Sequence, residues 1–274
     1  MWRGKRQDGV NGRGMDSSGG ALILFNLAMR DDEGGEDWML ELRNPHSVLA
    51  VFEARPGDVK SVQLPPGGGG TAWQAVRAQA EATGVAIGTA QERSSDRGRE
   101  RGASATVVER SPAVLEELVA DGGSGRGLWL ALDSLQDPQN VGAIFRLAAF
   151  FGVRGVVMGK DRAAPMSATV YDVASGGVEE VRFSLETNLH RALGRMRDAG
   201  LWVIGSSEHA ERSVYEVDTD RAWVLVVGNE EQGMRPRIQE ACDELVAVRP
   251  APGAGVTSLN VASATAVLIS ALSR

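Results

Sequence analysis

The sequence has few of the residues that mark secreted, membrane-bound or strongly basic proteins. One cysteine, Cys242, stands among 274 residues, which excludes an intramolecular disulfide and a multi-cysteine metal site and fits a reducing compartment. The longest apolar stretches, residues 21–29 and 261–272, are too short or too interrupted by serine and threonine to span a bilayer. We therefore expect a soluble protein with no membrane association and no metal.

The chain also lacks an excess of positive charge. Its formal net charge is −7 and its pI is about 5.2, so no global positive field can hold a polyanion. Any contact with nucleic acid must come from local basic patches.

The N-terminal segment, residues 1–36, is rich in glycine, aspartate and arginine and shows little periodicity. This composition predicts a mostly disordered tail. Its first 13 residues are basic, but no apolar segment of secretory character follows them. A disordered leader on a cytoplasmic protein is the favoured interpretation, and an organelle-targeting peptide is the alternative.

Residues 37–120 predict a small α/β module, because short apolar strands alternate with helical patterns. Strands are expected at 59–64, 85–88 and 105–108, and helices at 48–54, 71–83 and 111–120. The stretch 93–102 is either a solvated loop or a contact for RNA phosphates, and its four candidate residues are Arg93, Arg97, Arg99 and Arg101. Residues 121–127 are glycine-rich and predict a flexible linker at the domain boundary.

The C-terminal region, residues 128–274, predicts a mostly parallel sheet that is covered on both faces, because nearly continuous apolar strands are separated by helices. Strands are expected at 128–133, 155–158, 178–183, 201–205, 223–227 and 244–248, and helices at 141–151, 168–174, 185–198, 235–241 and from about 259. In such sheets ligands bind at the carboxyl ends of the strands.

A polar turn follows the first of these strands. Asp137 or Asn140 can cap the helix that begins there, and Arg146 lies six residues beyond Asn140. On spacing alone this is equally an ordinary strand, turn and helix with a surface arginine.

Two further segments end strands in the same way. One strand ends at Gly228, which is followed by Glu230 and Gly233, and a proline- and glycine-rich loop leads to Ser258 and Asn260. Glycine-rich loops bind ligands through backbone groups because no side chain obstructs the approach. Each segment alone is also compatible with a capping turn.

Taken together, the segments 137–146, 228–234 and 258–261 resemble the three motifs of the SpoU/TrmH family of RNA ribose methyltransferases, in the SPOUT superfamily. Cys242-Asp243-Glu244-Leu245 is similar to the family's ribosomal RNA guanosine 2′-O-methyltransferases. The resemblance covers residues 128–274 and extends more weakly to 42–48, which resemble the opening of a ribosomal-protein-like (L30e-like) RNA-binding domain.

The resemblance implies a SPOUT-type α/β domain with a C-terminal trefoil knot, a rare exception to topological rules. It also implies a homodimer that transfers a methyl group from S-adenosylmethionine to a ribose 2′-hydroxyl of RNA. By resemblance, the cofactor contacts the backbone at Gly228, Val248 and Leu259. The implied catalytic residues are Asn140, Arg146, Glu230, Ser258 and Asn260.

The sequence departs from the family pattern before the third motif. In members of the family the sequence Ile-Pro-Met-x-Gly leads into that motif, whereas Val248-Arg249-Pro250 is here followed by what resembles a two-residue insertion.

A guanosine of large-subunit ribosomal RNA is the first expected substrate and transfer RNA the second. A noncatalytic RNA-binding or ribosome-assembly factor is the alternative from another class. A dinucleotide-dependent dehydrogenase is disfavoured, since no Gly-x-Gly-x-x-Gly joins a strand to a helix.

Overall fold

The computed structural model describes residues 27–30, 36–90, 102–120 and 125–274, which form two β-sheets with helices packed on them. The N-terminal sheet has the order β1-β2-β5-β3-β4, in which β3 and β4 are parallel and the other pairs antiparallel. Its strands are β1 (Leu27–Arg30), β2 (Glu36–Leu42), β3 (Val59–Leu64), β4 (Ala86–Thr89) and β5 (Ser104–Val108). The candidate arginines Arg93, Arg97, Arg99 and Arg101 lie outside the described residues.

Two helices accompany this sheet, α1 (Pro45–Ala54) and α2 (Thr71–Thr83), and α3 (Leu115–Val119) follows in the chain and packs on the second sheet. The Asn44 side chain accepts a hydrogen bond from the His46 amide, and Pro45 occupies the first helical position, so the sequence itself starts α1. Helix α2 ends at Gly84, whose φ of 74° is the left-handed conformation that glycine adopts at helix ends.

The second sheet has six parallel strands in the order β11-β9-β10-β6-β7-β8. They are β6 (Gly127–Asp133), β7 (Gly155–Gly159), β8 (Phe183–Glu186), β9 (Trp202–Ser206), β10 (Ala222–Gly228) and β11 (Glu244–Val246). The helices between and after them are α4 (Pro138–Phe150), α5 (Ala168–Ala174), α6 (Gly177–Glu180), α7 (Leu189–Asp198), α8 (Pro236–Glu240) and α9 (Val261–Leu272).

Apolar cores cover both faces of the parallel sheet. Buried residues of α4, α5, α6 and α9 pack on one face, and those of α3, α7 and α8 pack on the other. Every residue of β10 is buried, as expected for a central parallel strand. The predicted mixed α/β architecture with a mostly parallel sheet is confirmed.

The prediction of a strand at 178–183 is wrong. Residues Gly177–Glu180 form α6, and the strand is Phe183–Glu186. Val178 and Val181 are both buried and three residues apart, which is a helical spacing rather than an alternating one. The following helix starts at Leu189, later than predicted, because the Asn188 side chain accepts from the Arg191 amide and caps it there.

Smaller differences concern the ends of elements. The helix expected at 111–120 covers only Leu115–Val119, and Gly127, which was assigned to the linker, is the first residue of β6. Strand β2 was not predicted, and β1 lies inside the segment that was predicted as a mostly disordered tail.

The two halves of the chain share one apolar core, in which α1 packs against α5 and α6. The Ser47 hydroxyl donates to the Tyr171 carbonyl at 2.6 Å. The Arg55 guanidinium makes two hydrogen bonds of 2.9 Å to the Glu179 carboxylate, which is only 3% exposed. The halves are therefore joined by packing and paired charge.

Within the described ranges, no helix is both long and apolar enough to cross a bilayer.

Candidate active site

Three loops leave the same edge of the parallel sheet. In the register of β6 with β10, Asp133 lies opposite Gly228, so both strands end together. Strand β9 runs in the same direction beside β10, and β11 runs in that direction on the other side of β9. The loops that follow β6, β10 and β11 carry the three motifs, so this edge is the candidate site.

Three of the predicted site residues are joined by hydrogen bonds. Asn140, in the first turn of α4, donates through Nδ2 to Oε1 of Glu230. Its Oδ1 accepts from Nδ2 of Asn260 at 3.0 Å. Asn140 therefore links the loop after β10 to the start of α9, across 90 residues of sequence on one side and 120 on the other.

Asn260 is held at both ends of its amide group. While Nδ2 donates to Asn140, its Oδ1 accepts from the amide of Ala262 at 2.9 Å and caps α9. The same contact thus starts a helix and fixes the orientation of a site residue. Because α9 also packs against α4, the two helix starts are fixed relative to each other.

Arg146 is not part of this network. It lies six residues after Asn140 on α4, about 240° around the helix at about 100° per residue, and its side chain is exposed. Among the described residues, nothing makes a hydrogen bond or ion pair with it. Behind it the backbone is tightly packed, since a Cβ at Gly177 would lie 2.6 Å from the Phe145 carbonyl oxygen. The guanidinium is therefore open to a ligand on a rigid helix.

Ser258 lies in an exposed loop, residues 249–260. Its hydroxyl makes no hydrogen bond with a described residue, so the structure does not bring it into the Asn140 network. From residue 248 to 259, one amide, that of Ala254, donates to a described acceptor, the Ala251 carbonyl at 3.0 Å. Val256 and Leu259 are 73% and 51% exposed. The loop thus presents unpaired backbone groups beside apolar side chains.

Of the three predicted cofactor residues, Gly228 has the most restricted surroundings. It is buried at the end of β10, and a Cβ there would lie 2.3 Å from the Met234 nitrogen, so no other residue fits. Asn229 and Gly233 exchange backbone hydrogen bonds of 3.1 and 2.9 Å and close the turn. Val248 is half-buried and Leu259 exposed, at the two ends of the open loop.

Two residues that hold the site together were not predicted, Asp133 and Arg235. The Asp133 side chain is fully buried, and it accepts from the Arg235 amide at 2.8 Å and from Arg235 Nε at 2.7 Å. A carboxylate directly after an apolar strand is a usable sequence signal, because a buried charge needs a partner. That partner lies 102 residues away, which no local pattern shows.

Asn229 was likewise missed as a structural residue of the turn. Its Nδ2 donates to the Ser134 carbonyl at 3.1 Å, and its Oδ1 accepts from the Glu231 amide at 2.9 Å. Together with the Asp133 pair, this bond ties both ends of the Glu230 turn to the loop after β6.

Cys242 is a packed residue rather than a nucleophile, as predicted. Burial raises the pKa of its thiol to about 12, and Sγ donates to the Ile238 carbonyl at 3.3 Å. A thiolate is therefore not populated near neutral pH.

Comparison with known proteins identifies the family of the chain. The model of the SpoU rRNA Methylase family matches residues 127–270. The 23S rRNA (guanosine-2′-O-)-methyltransferase RlmB of Pseudomonas aeruginosa is 36% identical over 231 residues, which cover 82% of this chain and 92% of that one. The enzyme of the same name from Nitrosomonas europaea is 41% identical over 172 residues, 62% of this chain and 65% of that one.

Solved structures show the same fold. The SpoU methyltransferase AviRb from Streptomyces viridochromogenes has a TM-score of 0.70 at 20% identity, covering 86% of this chain and 88% of that chain. An AdoMet-bound rRNA methyltransferase from Sinorhizobium meliloti has a TM-score of 0.66 at 19% identity, covering 85% and 86%. The fold is thus that of SpoU-type methyltransferases. The chain belongs to the SpoU rRNA methylase family.

Proposed function

We propose that this protein transfers a methyl group from S-adenosylmethionine to the ribose 2′-hydroxyl of a guanosine in large-subunit ribosomal RNA. The observation that carries the proposal is the hydrogen-bonded set of Asn140, Glu230 and Asn260, of which Asn140 lies on the helix that also exposes Arg146. The match to RlmB of Pseudomonas aeruginosa, over 92% of that protein, supports the substrate.

The loop of residues 248–259 fits S-adenosylmethionine. An adenosine needs apolar contact for its base and hydrogen-bonding groups for its edges, and the loop offers Val256, Leu259 and unpaired backbone amides. We assign Gly228, Val248 and Leu259 to hold the cofactor through their backbone. When bound, S-adenosylmethionine supplies an electrophilic methyl group on its sulfonium.

The protein's own task is positioning, since methyl transfer requires the reacting atoms at about 3 to 3.5 Å and in line. Asn140, Glu230 and Asn260 hold the starts of α4 and α9 against the turn after β10, and Ser258 is assigned to the ribose. Arg146 is not the base, because a guanidinium donates hydrogen bonds and has no site that accepts a proton. It is assigned to the phosphate and the 2′-oxygen of the target nucleotide.

The trefoil knot belongs to this proposal. The segment after β11 is bonded to the loop after β9, since the Val214 amide donates to the Ala247 carbonyl and the Ala247 amide to the Arg212 carbonyl. The chain then returns as α9 to pack on α4 and β10. These contacts support a C-terminus that is threaded through the loop after β9.

The remaining parts of the proposal concern RNA and assembly. We assign the N-terminal sheet to an L30e-like RNA-binding domain, with Arg93, Arg97, Arg99 and Arg101 as phosphate contacts, and the cytoplasm as the compartment. We also propose a homodimer through the knotted region. The exposed apolar side chain of Phe150, at the end of α4 and 81% exposed, supports such a contact.

Transfer of tritium from labelled S-adenosylmethionine to transcribed 23S rRNA tests the function. Wild type should label the RNA, and Arg146→Ala should lower the rate by about 100-fold, a typical loss when a positioned charge in an active site is removed. Arg191→Ala, which removes an exposed arginine on α7 against the other face of the sheet, is the matched control and should keep the rate.

The other outcomes of this experiment also test the proposed function. Equal labelling by wild type and Arg146→Ala would remove Arg146 from the mechanism. Labelling of transfer RNA alone would replace the substrate, and cofactor binding without labelling of either RNA would favour a noncatalytic factor.

A further inference from the structure

The loop between β7 and α5, residues 160–167, carries two cations that the motifs do not include. Lys160 and Arg162 are both exposed. Neither side chain makes a hydrogen bond or ion pair within the described part of the chain. Most other described arginines do, as in the pairs Arg182 with Glu117 and Arg212 with Glu244.

This loop is fixed beside the candidate site. The Ala164 amide donates to the Leu135 carbonyl at 2.8 Å, in the turn that leads into α4. The Lys160 amide donates to the Glu186 carbonyl at 3.0 Å at the end of β8. Ala164 and Met166 are buried, with 5% and 3% exposure. The two cations therefore project from an anchored loop at the edge where the motif loops emerge.

The path of the chain after the loop places it along α4. A Cβ at Gly142 would lie 2.7 Å from the Val170 carbonyl oxygen, and one at Gly177 2.6 Å from the Phe145 oxygen. The segment 170–177 thus follows α4 from its start towards Arg146. The loop 160–167 precedes that segment and is anchored to Leu135, just before α4, so the two loop cations lie near the start of the helix that carries Arg146.

Arg162 has an unusual backbone. Its φ of 59° lies in the left-handed region, which an arginine rarely adopts and which the surrounding structure must impose. Such positions cluster at ligand contacts. The chain as a whole repels a polyanion with its net charge of −7, so RNA must be held by local cations of this kind.

We propose that Lys160 and Arg162 bind phosphates of the RNA strand next to the target nucleotide. This inference rests on the proposed function and deepens it, because it extends the contact with the RNA backbone beyond the target nucleotide that is assigned to Arg146. Asp161 is exposed between the two cations. Its carboxylate repels RNA phosphates and therefore lowers the RNA affinity that the two cations supply.

The test is the variant Lys160→Gln with Arg162→Asn, since asparagine tolerates the left-handed backbone at 162. With transcribed 23S rRNA, KM should rise by about tenfold while kcat and the Kd for S-adenosylmethionine stay unchanged. The slope of log Kd for RNA against log salt, from filter binding, should become shallower by about 1 for each cation removed. Asp161→Asn should change RNA affinity in the opposite direction.

Arg191→Gln on α7 is the matched control, and circular dichroism melting verifies that each variant folds. An unchanged KM and an unchanged salt slope in a variant that melts like wild type would overturn the inference. If wild type transfers no methyl group, the proposed function fails, and the salt slope of binding still decides the role of these two residues.

Discussion

The turn after β10 and the loop after β11 lie at the same edge of the sheet and are held in opposite ways. The turn of residues 228–235 is tied to the loop after β6 through Asn229 with Ser134 and through Arg235 with Asp133. In the loop of residues 248–259, a single amide donates to a described acceptor.

The difference indicates that the turn and the loop have different roles. The tied turn orients Glu230 before any ligand arrives, and preorganised groups need no rearrangement during the reaction. The open loop keeps its backbone groups for a ligand, so ligand contacts would supply the order that the protein does not. Substitutions in the turn should therefore affect folding, and those in the loop should affect ligand binding and leave folding unchanged.

Gly228→Ala should have the largest effect. The added Cβ would meet the backbone of Gly233 and Met234 at 2.3 to 2.7 Å, where no flexible side chain can yield. We expect a loss of about 3 kcal/mol in the free energy of unfolding, measured by urea denaturation, and no methyl transfer. Gly255→Ala in the open loop, with nothing within 4 Å, should be neutral in stability. Equal stability of the two variants would remove the contrast.

Asp133→Asn should come next. The substitution removes the charge that faces Arg235 inside the protein, and breaking a buried pair costs about 3 to 5 kcal/mol. Because the Arg235 side chain is 43% exposed, water compensates in part and we expect about 2 kcal/mol. Asp243→Asn is the control, since that carboxylate also pairs with an arginine and accepts a backbone amide but is 25% exposed. A larger loss for the control would contradict our view of the turn.

Val256→Ser should have the smallest effect on stability, below about 0.5 kcal/mol, because its side chain is already exposed. Loss of apolar contact should weaken S-adenosylmethionine binding by about fivefold, which corresponds to roughly 1 kcal/mol. Titration calorimetry measures that Kd directly. A destabilised protein with normal cofactor affinity would mean that the loop is packed against the fold.

The sequence predicted the parallel sheet because long apolar strands such as β10 have only one stable environment, a sheet that is covered on both faces. It failed where a short segment is shaped by distant partners. Residues 177–186 contain enough apolar residues for one strand, yet Glu179 is buried against Arg55, 124 residues away, and the segment forms a helical turn before its strand begins.

Within the site, local chemistry identified the ends of elements and missed the connections between them. Asp137, one of the two predicted candidates, caps α4 because its side chain accepts from a free amide of the helix start, whereas Asn260 was not predicted as the cap of α9. The bond between Asn140 and Asn260 was inferred only as a shared role, and the pair of Asp133 with Arg235 was not inferred. Both depend on strand order, which sequence spacing does not contain.

The contact of α1 with α5 and α6 has a consequence for how the chain can be divided. Cutting the glycine-rich connection at residues 121–127 would leave the two sheets bound, because separation would break the packing of α1 on α5 and α6 and the bonds of Ser47 with Tyr171 and of Arg55 with Glu179. Neither half is a self-sufficient module that could be exchanged by moving its gene segment alone. A chimaera built from two relatives must therefore take the residues of the Arg55 and Glu179 pair from the same parent.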